Sequence, residues 1–162
     1  AGGNEYTLNA GLIINNLPAI GVIGVPKKER VFYSYGKNNS LLLEKNQITK
    51  LECKKKTPTG KVVALTNHTN PPKEILSKLE EFGVTSFRKL SSSYKYCVIA
   101  TGEYDLYADK VRANEWDDAA GHAIAESAGA IVTDLENNSF KYGNEDYKNP
   151  TILIRRGENL NV

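Results

Sequence analysis

Acidic residues gather in one short stretch of the second half of the chain. Asp117 and Asp118 are adjacent, and Glu103, Asp105 and Glu115 lie just upstream. Carboxylate oxygens are the ligands that magnesium and calcium prefer, whereas zinc favours nitrogen and sulfur. The stretch therefore predicts one of two roles for Asp117, as a ligand of a hard cation or as a carboxylate that only caps a helix. Spacing alone does not decide between them.

A helix is predicted directly after this acidic stretch. Asp117 is a good N-cap residue, and carboxylates in a first turn are stabilised by the free amides and the helix dipole. Small and apolar residues then recur at helical spacing as far as Gly129, which is typical of a left-handed C-terminal cap. Because alanine dominates this helix, we expect it to lie very close to a sheet. Residues 130–133 follow as a short buried strand.

The first part of the chain predicts an antiparallel meander. Alternating or continuous apolar residues, separated by asparagine, glycine and proline turns, place strands at residues 6–14, 17–25, 31–35, 41–43 and 48–51. Such a sheet has an apolar face that another layer must cover.

The pattern changes after residue 58. A strand at residues 61–65 precedes a helix that ends at Gly83, and its apolar residues are Ile75, Leu76, Leu79 and Phe82. Further strands are predicted at residues 84–87, 103–107 and 151–154, and residues 92–100 form a helix or a strand. The fold class is therefore α/β, with an antiparallel part at residues 1–58 and a smaller α/β unit at residues 59–162.

Composition narrows the function classes. The chain has 162 residues, 40% of them hydrophobic, which suits one globular domain, and no apolar run is long enough to span a membrane. A net charge of +2, with one basic run at residues 54–56 and no interleaved aromatics, argues against nucleic-acid binding. Cys53 and Cys97 lack the spacing of a disulfide framework or a zinc site, so we expect a cytoplasmic protein. Because methionine is absent, we expect residue 1 to be a processed terminus or a cut point in a longer protein.

The order of these motifs resembles the inositol monophosphatase-like family of magnesium-dependent sugar and nucleotide phosphatases. Residues 3–13 are similar to the strand after the family's Asp-Pro-(Leu/Ile)-Asp-Gly-Thr metal motif, and residues 21–26 to the next strand. Residues 97–107 and the specific Trp-Asp motif at residues 116–121 resemble the C-terminal signature. The resemblance runs nearly end to end and implies an incomplete inositol monophosphatase-like fold.

Within that family, two motifs most resemble the 3'(2'),5'-bisphosphate nucleotidases, which hydrolyse 3'-phosphoadenosine 5'-phosphate to AMP and phosphate. They are the strand that leads to His68 and the Ser92-Ser93-Tyr94-Lys95 stretch. The resemblance implies Mg²⁺ as cofactor, with Asp117 as a metal ligand. It implies that the substrate's phosphate and sugar are held by His68, Ser92, Ser93 and Lys95. Hydroxyls and a cation donate hydrogen bonds to anionic oxygen, which suits that role.

The chain also departs from the family pattern. The Gly-Glu-Glu and Asp-Pro-x-Asp-Gly-Thr motifs, which supply the other metal-binding carboxylates, would both precede residue 1. Ser91 stands where glycine is usual, residues 65–67 replace Ser-Arg-Ser, and Asp109 replaces an arginine for which Arg112 is a nearby substitute. Because magnesium needs several anionic ligands, we expect the isolated chain to be inactive or weakly active.

Three interpretations follow for function. The chain is the C-terminal part of a bisphosphate nucleotidase that acts on a small phosphate ester or nucleotide, with a complementary N-terminal fragment supplying the missing carboxylates. Alternatively, it is a non-catalytic half-fold that binds a partner or self-assembles as a homodimer through the uncovered meander. The third interpretation is an independent hydrolase that uses the acids between residues 103 and 118.

Overall fold

The structure is a computed structural model that describes residues 5–53, 60–110, 113–157 and 160. The first sheet contains β1 (Leu8–Ile14), β2 (Leu17–Val25), β3 (Arg30–Ser34), β4 (Ser40–Glu44) and β5 (Gln47–Lys50), with a 3-10 turn at Pro26–Lys28. The later elements are β6 (Val62–Thr66), α1 (Lys73–Glu81), β7 (Val84–Lys89), α2 (Tyr94–Ala100), β8 (Leu106–Asp109), α3 (Glu115–Ser127), β9 (Ile131–Thr133) and β10 (Ile152–Arg155). The predicted α/β class is confirmed. The basic run at residues 54–56, Arg112 and the predicted boundary after residue 58 lie outside the described residues, and the division into two parts stays a prediction.

The first sheet is the predicted meander. Its strands pair antiparallel in the order β1-β2-β3-β4-β5. Two of its connections are two-residue turns in which both residues have positive φ, 51° and 64° at Asn15 and Asn16 and 50° and 61° at Lys45 and Asn46. Left-handed conformations at both positions match the right-handed twist of the flanking strands, and asparagine tolerates that region well. These turns fix the register of the meander.

The second sheet is mixed, in the order β7-β6-β8-β10-β9. Strand β6 is parallel to β7 and β8, while β10 is antiparallel to β8 and β9. Since β6 and β8 run in the same direction, Thr66 and Asp109 at their carboxyl ends lie at the same edge. In open α/β sheets ligands bind at such an edge.

Helices α2 and α3 lie between the two sheets, and α1 packs against the second sheet. One buried cluster joins the first sheet, α2, α3 and the facing side of the second sheet, and it includes Phe32, Tyr96 and Ile124. A smaller cluster lies under α1. No helix among the described residues is long and apolar enough to cross a membrane.

The close contact predicted for α3 is confirmed. A Cβ atom added at Gly21 would lie 2.1 Å from the carbonyl oxygen of Ala120, and one added at Gly11 would lie 2.9 Å from the Ala120 nitrogen. Neither distance leaves room for a carbon atom, so the helix backbone rests directly on β1 and β2. At the other end, Gly129 has φ of 94° and ends the helix as predicted.

The predicted start of α3 is wrong by three residues. The N-cap is Asn114, and Asp117 is the third residue of the helix, where its Oδ2 accepts the backbone N–H of Asn114 at 3.1 Å. Asparagine is as good a cap as aspartate, and an acid three residues later completes a capping box.

The strand predicted at residues 103–107 begins only at Leu106. The acids before it are engaged elsewhere, because Glu103 pairs with Arg30 at 2.7 Å and Asp105 pairs with the buried Arg156. The ambiguous segment at residues 92–100 forms a helix, α2.

The outer face of the first sheet is apolar and exposed. The strand register aligns Leu8, Gly24, Val31, Leu43 and Ile48 in one row across all five strands. Leu8 is 67% exposed and Ile48 is 63% exposed. The expectation that the meander leaves apolar surface uncovered is therefore confirmed for the described residues.

Candidate functional site

A cavity of about 440 Å³ opens where β1, the starts of α2 and α3 and the carboxyl ends of β6 and β8 meet. Its walls are largely polar and consist of Thr7, Asn9, Asn67, Ser91, Ser92, Ser93, Lys95, Tyr107, Ala113, Asn114, Asp117 and Ile152. The predicted site residues Ser92, Ser93, Lys95 and Asp117 thus share one cavity. His68 is not part of the wall, although its neighbour Asn67 is.

Ser93 ties three elements together at the base of the cavity. Its Oγ accepts a hydrogen bond from Asn9 Nδ2 at 3.0 Å and donates to the backbone oxygen of Asp117 at 2.6 Å. Because a serine hydroxyl has a single hydrogen, this donation is already used. Ser93 therefore orients β1, α2 and α3 around the cavity, and its hydroxyl has no second hydrogen to give to a ligand.

In the structure, Asp117 can cap the helix and bind a cation at the same time. The hydrogen bond from Asn114 uses Oδ2, and the residue also lines the cavity. A carboxylate has two oxygens and several lone pairs, so capping a first turn does not prevent it from binding a cation.

Lys95 is the cationic side chain among the described residues of the cavity wall. The residue is only 5% exposed, and its Nζ lies 5.2 Å from the ring centre of Tyr96 and 5.1 Å from that of Tyr107. Such cation–π contacts stabilise an ammonium in a confined place. Burial lowers the pKa of Lys95, and the negative charges of nearby carboxylates, Asp118 first among them, oppose that shift.

Asp118, unlike Asp117, does not line the cavity. It is fully buried, with Oδ1 3.8 Å from Lys95 Nζ and Oδ2 accepting a hydrogen bond from Asn149 Nδ2 at 3.0 Å. Burial raises the pKa of Asp118, and the ammonium of Lys95 opposes this shift. Asp118 is thus placed to interact with Lys95 and not to share a metal ion with Asp117.

His68 lies beside the cavity, just after the carboxyl end of β6. Its Nε2 is 3.5 Å from Asp109 Oδ1, and the other oxygen of Asp109 accepts the backbone N–H of Asn67 at 2.7 Å. The His68 side chain is 41% exposed. Asp109 therefore holds the β6 end in place and faces the imidazole.

The acids of residues 103–118 do not form one cluster. Besides the ion pairs of Glu103 and Asp105, Glu115 accepts the backbone N–H groups of Gly143 and Asn144, each at 2.8 Å. Among the residues that the structure describes, no three His, Cys, Asp or Glu side chains are placed to hold a metal ion together. The acids that the independent-hydrolase interpretation uses therefore do not converge among the described residues, and that interpretation stays a hypothesis.

The two cysteines and His122 belong to the core. Cys53 and Cys97 are both buried, and burial raises the pKa of the Cys97 thiol. His122 packs against Phe140 and Tyr142, and its Nδ1 lies 3.0 Å from the Tyr142 hydroxyl.

Sequence reasoning missed several residues of the cavity wall, namely Thr7, Asn9, Asn67, Tyr107 and Asn114. A signal for two of them, Thr7 and Asn9, exists in β1 and the residue before it. Its apolar residues at even positions face outward, so the odd positions, with Thr7, Asn9 and Gly11, face α3. Polar and small residues opposite an apolar stripe indicate a strand side that faces a site or a close helix.

The layered fold is that of an α/β protein, and its polar cavity lies at the ends of parallel strands, where open α/β sheets bind ligands. The chain belongs to the inositol monophosphatase family, whose family model matches residues 1–160. It is 33% identical over 151 residues to the 3'(2'),5'-bisphosphate nucleotidase CysQ of Escherichia coli K12, which covers 93% of this chain. The Buchnera aphidicola CysQ is 31% identical over 141 residues and covers 85% of the chain. The chain spans 60% and 51% of the length of these two relatives.

Solved structures give the same fold. The crystal structure of CysQ from Bacteroides thetaiotaomicron, a bacterial member of the inositol monophosphatase family, superposes with a TM-score of 0.78 at 27% identity, covering 96% of this chain and 64% of that one. A Pyrococcus horikoshii protein with similarities to inositol-1 monophosphatase has a TM-score of 0.75 at 22% identity. The match covers 95% of this chain and 58% of that one. The predicted family and fold class are confirmed.

Proposed function

We propose that this chain forms one wall of a magnesium-dependent phosphatase site of the bisphosphate nucleotidase type, and that carboxylates from outside residues 1–162 complete it. The observation that carries this proposal is the convergence of Lys95, Ser92 and Asp117 on one polar cavity. The proposed substrate is 3'-phosphoadenosine 5'-phosphate, by the resemblance to the nucleotidases and the similarity to CysQ.

The cavity residues suit a phosphate ester. The Lys95 ammonium and the hydroxyl of Ser92 are donors for anionic oxygens, and charge-assisted hydrogen bonds are among the strongest. Asp117 offers a carboxylate that can bind a cation. The exposed imidazole of His68 lies just outside the cavity, where it can contact a part of the substrate further from the phosphate.

The same geometry explains why the isolated chain is proposed to be inactive. Asp117 is the only carboxylate in the described cavity wall, and magnesium is held in proteins by several oxygen ligands in near-octahedral geometry. The family's other acidic motifs would precede residue 1, so a complementary N-terminal fragment is the proposed source. Such a fragment would also cover the apolar outer face of the first sheet.

Reconstitution tests this proposal. The chain is mixed with the N-terminal part of the E. coli relative, which by the resemblance carries both missing motifs, and phosphate release from 3'-phosphoadenosine 5'-phosphate is measured in Mg²⁺. We expect release from the mixture, its loss in Asp117→Ala, and its retention in Glu126→Gln, which removes an exposed acid from the same helix. A mixture in which both fragments bind each other without any release would overturn the proposal.

A second candidate function is self-assembly without catalysis, and the exposed row on the first sheet favours it. Monomeric soluble proteins rarely leave a large contiguous apolar patch in water. Sedimentation velocity over a hundredfold range of concentration tests it, with Ile20→Lys/Ile48→Lys as the variant, because both side chains lie on that exposed face. A concentration-dependent dimer that the double variant abolishes supports self-assembly, and a monomer throughout contradicts it.

A further inference from the structure

The side chains behind Lys95 form a buried chain of polar contacts that the site described above does not use. Asn149, in the loop before β10, donates to Asp118, and Asp118 faces Lys95. All three residues are at least 95% buried, with exposures of 0%, 0% and 5%. Buried charged groups are rare unless they are paired, so this arrangement needs a reason beyond packing.

Asn149 is itself anchored by the backbone. Its N–H donates to the carbonyl of Ala113 at 3.0 Å, next to the N-cap of α3. The backbone of Asn149 is therefore fixed with respect to the start of α3. From this position its side-chain Nδ2 donates a hydrogen bond to Asp118 Oδ2. The orientation of that carboxylate leaves Oδ1 toward Lys95. The hydroxyl of Tyr96 also interacts with the Asp118 carboxylate.

We propose that Asp118, held by Asn149, is a positioning residue that keeps the Lys95 ammonium at the cavity wall. This rests on the proposed function, in which Lys95 binds an anionic oxygen of the substrate. At 3.8 Å the carboxylate is close enough to stabilise the ammonium and too far to take a full hydrogen bond from it. The rings of Tyr96 and Tyr107 confine the ammonium further, and its hydrogens stay available for a ligand.

Removal of the Asp118 charge would destabilise the Lys95 ammonium in its buried position. Lys95 is only 5% exposed, so its ammonium lacks compensation for lost hydration once the nearby carboxylate is removed. The flexible lysine stem would let the ammonium move toward water. Lys95 would then leave the position at which the cavity wall presents it.

The test has a readout that does not depend on catalysis. The full chain is labelled with ¹⁵N at the lysine ammonium groups, and the Lys95 signal is assigned by its absence in Lys95→Arg. We expect this signal to shift strongly or disappear in Asp118→Asn, to shift less in Asn149→Ser, and to stay unchanged in Glu126→Gln. Glu126 is an exposed acid two turns further along α3. An unchanged Lys95 signal in Asp118→Asn overturns the proposal, and Asn149→Ser takes its place if Asp118→Asn does not fold.

Inorganic phosphate in Mg²⁺ is then titrated into the mixture of this chain with the N-terminal fragment, which separates this inference from the proposed function. We expect Asp118→Asn to weaken phosphate binding about tenfold, within the coupling range of contacting residues, and to have no further effect in a Lys95→Met background. Additive losses, or tighter binding in Asp118→Asn, would show that Asp118 does not act through Lys95. A Lys95 signal that responds to Asp118→Asn but not to phosphate would leave the positioning role intact and contradict the proposed function.

Discussion

The contact between α3 and the first sheet gives the sharpest prediction for stability. In Gly21→Ala the new Cβ would lie 2.1 Å from the Ala120 carbonyl oxygen, which is backbone and cannot rotate away. The helix and the sheet must separate, and overpacking of this kind costs about 1–3 kcal/mol, occasionally more. We expect a loss of about 3 kcal/mol in the free energy of unfolding. For a chain of this size that lowers Tm by roughly 6–12 °C.

Gly24→Ala is the matched control, because Gly24 lies on the same strand and on its outward side. There the nearest atom to an added Cβ is Leu8 Cβ at 3.9 Å, an ordinary contact. Alanine also reduces the freedom of the unfolded chain, so this variant should be unchanged or more stable by about 0.4–1 kcal/mol. Both variants are compared by urea unfolding, followed by circular dichroism. A Gly21→Ala protein as stable as Gly24→Ala would refute the close packing of α3 on β2.

Two further predictions concern buried and paired groups. In the native protein Cys53 and Cys97 should not react with Ellman's reagent, because both are buried and burial raises the pKa of Cys97. Both should react in urea. Rapid reaction of the native protein would contradict the packing. The pKa of Glu44 is lowered from 4.5 by its hydrogen bond with Arg30, so its stabilising effect is present above that pH and is lost as pH falls through the lower, folded value. Glu44→Gln should therefore flatten the fall in urea midpoint below pH 4.5, and an unaltered slope would show that the pair does not form.

Much of the fold follows from local patterns. The alternation in β1, the paired asparagines at its end and the glycine that ends α3 all act over a few residues, and each predicted its element correctly. The start of α3 was misplaced because Asn114 and Asp117 are equally suitable caps, and only the structure shows that Asp117 reaches back to Asn114. Local patterns of this kind leave helix boundaries ambiguous.

The candidate site was predictable only in part. The acidic stretch indicated Asp117 as a cation ligand or a cap, the resemblance added Lys95, and the structure brings both to one cavity. The contact of Asp118 with Asn149 joins residues 31 positions apart, on a helix and a loop, and no spacing rule connects them. Adjacent acids look equivalent in sequence, although consecutive helical side chains point in different directions.

The central claim is that this chain holds the Lys95 and Asp117 wall of a phosphatase site but not a complete metal centre. Phosphate release from 3'-phosphoadenosine 5'-phosphate by the purified 162-residue chain in Mg²⁺, measured beside Asp117→Ala, tests it most directly. The account predicts no release by the chain beyond that of the variant, because Asp117 is the only carboxylate in the described part of the cavity wall. Release that Asp117→Ala abolishes would show that the chain builds a working site from its own residues, and would contradict the claim.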